Sequence, residues 1–258
     1  MRIAYYAPMK SPHHPRPSGD RLIARLLMKA LEAKGHQLEL MSELRSWEGK
    51  GSPAAQQQIH QQSLTVADNI IREIQSRPAQ TRPGLWFCYH PYHKAPDWIG
   101  PRVCEACDIP YVAAEAIYAI DHAGGPWGDG VTQIIHTLKQ AAAILCLNPL
   151  DVPALERLPA SRGKLHRLRP FLDLDPAQLK RTPQRRQTLA QQYGLDPTRP
   201  WIISVAMMRD DAKLRSYEKM AGALQSVKQP YQLLLIGDGK ARHKVETLFG
   251  DTLSDRTF

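Results

Sequence analysis

Two cations on one loop are the first chemistry the sequence offers. In residues 201–240, WIISVAMMRDDAKLRSYEKMAGALQSVKQPYQLLLIGDGK, Arg209 and Lys213 follow an apolar run that reads as a strand and lead into an amphipathic run that reads as a helix. Loops of this kind open at the carboxyl edge of a parallel sheet, where paired cations and free backbone N–H groups can hold a diphosphate. The implied ligand contains a nucleotide. His90 and His93, in HPYH, follow another strand-like run and belong to the same kind of edge, where they would touch a second substrate. Without a nearby carboxylate ligand they make no convincing metal site. Trp127, in GGPWGDG, offers an aromatic wall for a sugar or lipid, with anchoring of its own loop as the plainer alternative.

The elements that must position these groups alternate along the chain. Residues 2–7 read as a buried strand, residues 8–20 as a loop rich in Pro and His, and residues 21–34 as a helix carrying Leu22, Leu26, Leu27, Ala30 and Leu31 on one stripe. Gly35 stands where a helix C-cap is expected. Further strands are predicted at 36–41, 84–89, 111–116, 143–147 and 164–168, with helices at 56–75, 98–107 and 131–142 between them. Strands separated by helices specify a parallel, doubly wound α/β sheet. A polar, Gln- and Arg-rich segment then runs to Pro200. The expected organisation is a Rossmann-like domain over residues 1–172, a linker with a short helix over 173–200, and the start of a second Rossmann-like domain over 201–258. The chain stops at Phe258, about where a third strand of that second domain is due.

Composition narrows the class. The 258 residues are 43% hydrophobic and 23% charged, and no apolar run reaches the roughly 18 residues that a membrane-crossing helix needs. The start MRIAYYAPMK lacks a secretory signal, so the expected location is the cytoplasm. The four cysteines fall in predicted strands and helices, and the one CxxC, Cys104 and Cys107, has no second pair to complete a zinc site. Net charge is +9, and the basic excess concentrates between Arg157 and Arg186. Such a run is first a solvated face or linker, second a patch for the inner membrane surface, and last a nucleic-acid site, for which no recognisable module is present.

The motifs SVAMMRDDAKLRSYEKMAGAL and LLLIGDGKAR, together with PSGDRLIARLLMKALEAKGHQLELMSE, resemble the retaining family 4 glycosyltransferases of GT-B fold. HPYHKAPDWIGP, IPYVAAEAIYA, GPWGDG and RLRPFLD are similar to that family's landmarks and fall in its order, so the resemblance covers nearly the whole chain. It implies transfer of a sugar from a nucleotide-diphosphate donor with retention of configuration, without metal or other cofactor, to a glycan or lipid-linked acceptor. Arg209 and Lys213 would then neutralise the donor diphosphate, where charge develops as the glycosidic bond breaks. Gly19 would face the donor phosphates, its missing side chain letting a backbone N–H approach, and Asp20 either shares that motif or caps the following helix. Glu115 is the first choice for a polar group near the acceptor hydroxyl and His122 the second, each with a structural role as the plainer alternative.

Two other motifs point elsewhere and are weaker. Gly237-Asp238-Gly239 has Arg242 where a dinucleotide fingerprint has its third glycine. Asp173-Leu174-Asp175 has the spacing of a metal-binding DxD but lies in the linker. The family's pair of donor-contacting glutamates has no counterpart before Phe258. The alternative function is therefore a catalytically weak or inactive remnant serving as a binding or partner subunit.

Overall fold

The computed structural model describes residues 1–253 and Thr257, in two compact units, residues 1–173 and 174–258. The first holds six parallel strands: β1 (Arg2–Tyr6), β2 (Gln37–Ser42), β3 (Trp86–Tyr89), β4 (Tyr111–Ala114), β5 (Ala143–Cys146) and β6 (Leu165–Arg167). Their order across the sheet is β2-β1-β3-β4-β5-β6. The order reverses between β1 and β3, and at such a switch point the connections leave on opposite faces and open a crevice at the carboxyl ends.

Helices α1 (Gly19–Ala33), α2 (Pro53–Ser76), α3 (Gly100–Cys107), α4 (Gly128–Gln140) and α5 (Val152–Glu156) connect these strands. Both faces of the sheet are covered, which is why β1 reads as a continuous apolar run. Ala4 and Tyr6 join the core that includes Ile70, Ile99, Val103 and Ile134, whereas Ile3 and Tyr5 join Leu27, Phe87 and Tyr89 on the other face. Burying a side chain such as Ile3 or Ile134 contributes about 1.5–3 kcal/mol.

Several element ends differ from the sequence reading, for local reasons. Ser18 caps α1 by accepting from the Arg21 N–H at 3.2 Å, so the helix begins at Gly19 and Asp20 is not its cap. Residues 98 and 99 stay outside α3 because the Asp97 carboxylate takes the N–H groups of Ile99 and Gly100. Strand β4 stops at Ala114 because Glu115 turns into the left-handed region, with φ 55°. The short α5 carries too little periodicity to be read from sequence.

The second unit contains α6 (Pro183–Tyr193), β7 (Trp201–Val205), α7 (Ala212–Gln225), β8 (Gln232–Ile236) and α8 (Arg242–Leu253). β7 and β8 pair in parallel, and Tyr217, Leu233, Val245 and Phe249 form its core. The DxD of the linker is accounted for within each unit: Asp173 pairs with Lys29, and Asp175 accepts from the Ala177 N–H at 2.9 Å. Among the described residues no helix is long and apolar enough to cross a membrane.

Candidate functional site

The crevice at the switch point is built from the loop after β1 and the residue after β3. Asp20, in the first turn of α1, meets the Nδ1 atom of His90 at 3.1 Å, bridging the two sides of the reversal. The hydrogen bond to His90 holds the Asp20 carboxyl below its ordinary range, against the opposing effect of burial. His90 itself has φ 59°. A β-strand end that turns left-handed at a non-glycine residue costs about 1–3 kcal/mol and persists where the surroundings impose it, often at ligand sites. Lys10, in the same β1–α1 loop, is largely buried, and its ammonium is lowered first by that burial, with Asp20 pulling the other way. Nothing in the polar loop sequence marks Lys10 apart from its neighbours.

One strand further along, Glu115 repeats the pattern. Its backbone N–H continues the sheet to the Leu145 carbonyl at 2.8 Å, and its side chain leaves the ladder for a cavity of about 250 Å³. That cavity is walled by Ile23 and Leu26 of α1, by Leu147 and Asn148 after β5, and by Arg167 and Arg169 at the end of β6. Among the described residues the Glu115 Oε2 atom is buried without a hydrogen bond, and so is the Tyr89 hydroxyl. Burial, and then the Glu115 charge, push the Tyr89 phenol up. The two groups lie close without achieving hydrogen-bond geometry. Both arginines belong to the basic run visible in the sequence, but only the ends of β5 and β6 bring them to this cavity.

His93, His122 and Trp127 come together beside the crevice. The rings of His93 and His122 stack with centroids 4.5 Å apart, and Trp127 meets His93 edge-on at 6.0 Å. Tyr92 links this group to His90, at 5.5 Å from the His90 ring and 5.1 Å from that of His93. Both nitrogens of His93 are buried without partners among the described residues. Burial, then the nearby His122 and Lys94, lower its pKa from the ordinary 6.5 to about 4, so the ring is neutral at pH 7. Trp127 is fixed by its Nε1–H, which donates to the Glu48 carbonyl at 3.0 Å, and Lys94 sits 4.0 Å over its ring. Those contacts give Trp127 an anchoring role.

In the second unit, Arg209 and Lys213 occupy the loop after β7 and the first turn of α7. Asp211 caps α7 by accepting from the Lys213 N–H at 2.8 Å, while its other oxygen holds the Arg209 Nε at 3.1 Å. That ion pair is about half exposed on both sides, and such pairs contribute about 0–1 kcal/mol. The Lys213 ammonium has no ion-pair partner among the described residues. Beside them, Gly237 and Gly239 form the turn after β8: a Cβ at Gly237 would lie 1.9 Å from the Ala206 carbonyl oxygen, and Gly239 adopts φ 154°. The glycines serve the packing of the β7 and β8 ends. Gly19 is the opposite case, since a Cβ there meets nothing within 4 Å.

No protein-family model matches the chain. It is 33% identical over 118 residues to the alpha-D-kanosaminyltransferase of Streptomyces kanamyceticus, a match covering 45% of this chain and 30% of that protein. The chain thus aligns with under a third of that relative's length. Among solved structures it superposes on Anabaena HepE in complex with UDP with a TM-score of 0.64 at 12% identity, covering 100% of this chain and 68% of that one. The lipopolysaccharide outer core galactosyltransferase WaaB, in its apo form, gives 0.57 at 11% identity, covering 100% and 67%. The fold is α/β and GT-B-like.

Proposed function

We propose that the protein is a glycosyltransferase that moves a sugar from a nucleotide-diphosphate donor to a hydroxyl of a glycan or lipid-linked acceptor, with retention of configuration. The observation that carries this reading is the Asp20–His90 pair at the switch point, beside a Glu115 carboxylate with one buried, unpaired oxygen. Such a crevice is where open α/β sheets take their ligands. Support for the donor class comes from structural neighbours described with UDP and with UDP-glucose.

Each residue then has a task. Arg209 and Lys213 meet the diphosphate, whose charge grows as the bond to the sugar breaks, so their contribution rises toward the transition state. No metal is assigned, because these two cations take that role. Gly19 lets a phosphate approach the first turn of α1. Glu115 accepts the hydrogen bond of the incoming hydroxyl, and His90, oriented by Asp20, contacts the acceptor. Arg209 exchanges its exposed Asp211 partner for the diphosphate at little cost.

Calorimetric titration with UDP and UDP-glucose tests the donor assignment. Arg209→Ala and Lys213→Ala should each weaken binding about tenfold or more, equivalent to about 1.4 kcal/mol. Unchanged affinity in both variants would remove the diphosphate reading. An NMR assay of the product's anomeric configuration tests retention. Donor binding without hydrolysis or transfer would instead assign the chain the role of a binding or partner subunit.

A further inference from the structure

A second concave surface lies away from Glu115, where the start of α2 passes the start of α4. Two adjoining hollows, of about 550 Å³ and 460 Å³, share His60, Trp98 and Asp129. Volumes of roughly 300–1,000 Å³ are those of sites that hold organic ligands. The lining is unusual for this chain. The protein carries a net charge of +9, yet among the described residues no Lys or Arg lines either hollow. Phosphate, nucleic acid and acidic lipid therefore find no counter-charge, and the Asp129 carboxylate works against them.

The groups that are present suit a neutral ligand rich in hydroxyls. Trp98 is partly exposed, with the His60 ring tilted against it at 4.2 Å, which supplies an amphipathic aromatic surface for the C–H face of a sugar ring. Gln57 and Gln61 project from the exposed side of α2, each with an amide that both donates and accepts. Gln56 is held in place by donating its Nε2–H to the Pro126 carbonyl at 2.8 Å, and Gln133 by donating to the Asp97 carbonyl at 2.8 Å. Each fixed amide keeps its own carbonyl oxygen available as an oriented acceptor. Gln56 and Trp98 also border a small gap shared with His93 and Trp127, so the hollow adjoins the aromatic group beside His90.

We propose that this groove is a subsite for a neutral oligosaccharide, the outlying part of an acceptor glycan whose reacting end lies near Glu115. The assignment rests on the glycosyl-transfer reading for its purpose, although the groove's ligand chemistry stands on its own lining. It makes the acceptor a chain of sugars, with recognition extending beyond the reacting unit.

The test uses the intact protein and a panel of neutral oligosaccharides of increasing length, from gluco-, xylo- and manno-series, followed by tryptophan fluorescence and saturation-transfer NMR. Affinity should rise with length for at least one series. Trp98→Ala should lower that affinity about tenfold. The double variant Gln57→Ala/Gln61→Ala, on exposed side chains, should lower it severalfold and decides the matter if Trp98→Ala fails to fold. Acceptor-free hydrolysis of UDP-glucose should be the same in wild type and variants. Binding by no series, or binding indifferent to both variants, overturns the subsite. A preference for sulfated or phosphorylated glycans that disappears with salt also overturns it. If oligosaccharides bind in the Trp98-dependent way while UDP and UDP-glucose do not bind at all, the groove stands and the glycosyl-transfer reading falls; nucleotide binding with no glycan binding is the converse.

Discussion

Asp97 and Glu115 are two carboxylates of one unit in opposite circumstances. Asp97 is fully buried, and its oxygens accept from the N–H groups of Ile99 and Gly100 at 2.9 and 2.7 Å, the Tyr111 hydroxyl at 2.9 Å and the Trp86 indole at 3.2 Å. Burial raises its pKa, opposed by hydrogen bonds that include those from Gly100, Tyr111 and Ile99. Glu115 stands on left-handed backbone, has an oxygen with no partner, and borders a cavity. Satisfied burial holds together the start of α3 and the first residues of β3 and β4. Unsatisfied burial beside open space keeps hydrogen-bonding capacity for something that arrives.

The contrast predicts separable losses. Glu115→Gln keeps the shape and removes the charge; transfer should fall on the order of 10²–10⁴-fold, with unfolding free energy changed by less than about 1 kcal/mol. Initial rates and urea melts on the same preparation check both halves, and a stability loss without a rate loss would make Glu115 a second Asp97. Asp97→Ala strands two side-chain donors and two backbone N–H groups, so unfolding free energy should drop by about 3–5 kcal/mol while activity per folded molecule is retained.

His93 sharpens the distinction: its ring nitrogens, like the Glu115 Oε2 atom, are buried without partners among the described residues, but the ring is neutral. Its pKa is lowered in the fold, so its contribution is fully present above 6.5, is lost as pH falls from 6.5 to about 4, and changes no further below that. With the adjoining His122 exposed to solvent, the loss should be about 1–2 kcal/mol. Urea denaturation at pH 7 and pH 4.5 would measure it, and His93→Gln should flatten the profile. At Gly19 the expected change is a gain in stability. With room for a methyl group, Gly19→Ala should stabilise α1 by up to about 1 kcal/mol and still weaken UDP-glucose binding. Unimpaired binding would reduce Gly19 to an ordinary turn residue.

The alternation of strands and helices was legible because burial on both faces makes strands such as residues 2–6 uniformly apolar and leaves helices such as α1 with a single stripe. Ends were less so: the Ile99 and Gly100 N–H groups are claimed by Asp97, two and three positions earlier, a local capping contact that apolar periodicity does not display. At the site, the strand-end positions of His90, His93 and Glu115 could be read from the alternation. The Asp20–His90 pair could not, because it joins residues 70 positions apart and depends on β1 and β3 being neighbours. Lys10, Tyr89, Arg167 and Arg169 look like ordinary loop, core and surface residues until the sheet is assembled. The groove at Trp98 and His60 likewise needs two distant helix starts to meet.

Asp211 gives the Arg209 guanidinium a resting place that solvent reaches from both sides. An exposed pair of this kind is worth only about 0–1 kcal/mol, so the arm lets go without waiting for any rearrangement of the fold. Capture of an anionic substrate should consequently be limited by encounter, and stopped-flow association rates would slow as salt is added while dissociation of the bound form changes far less.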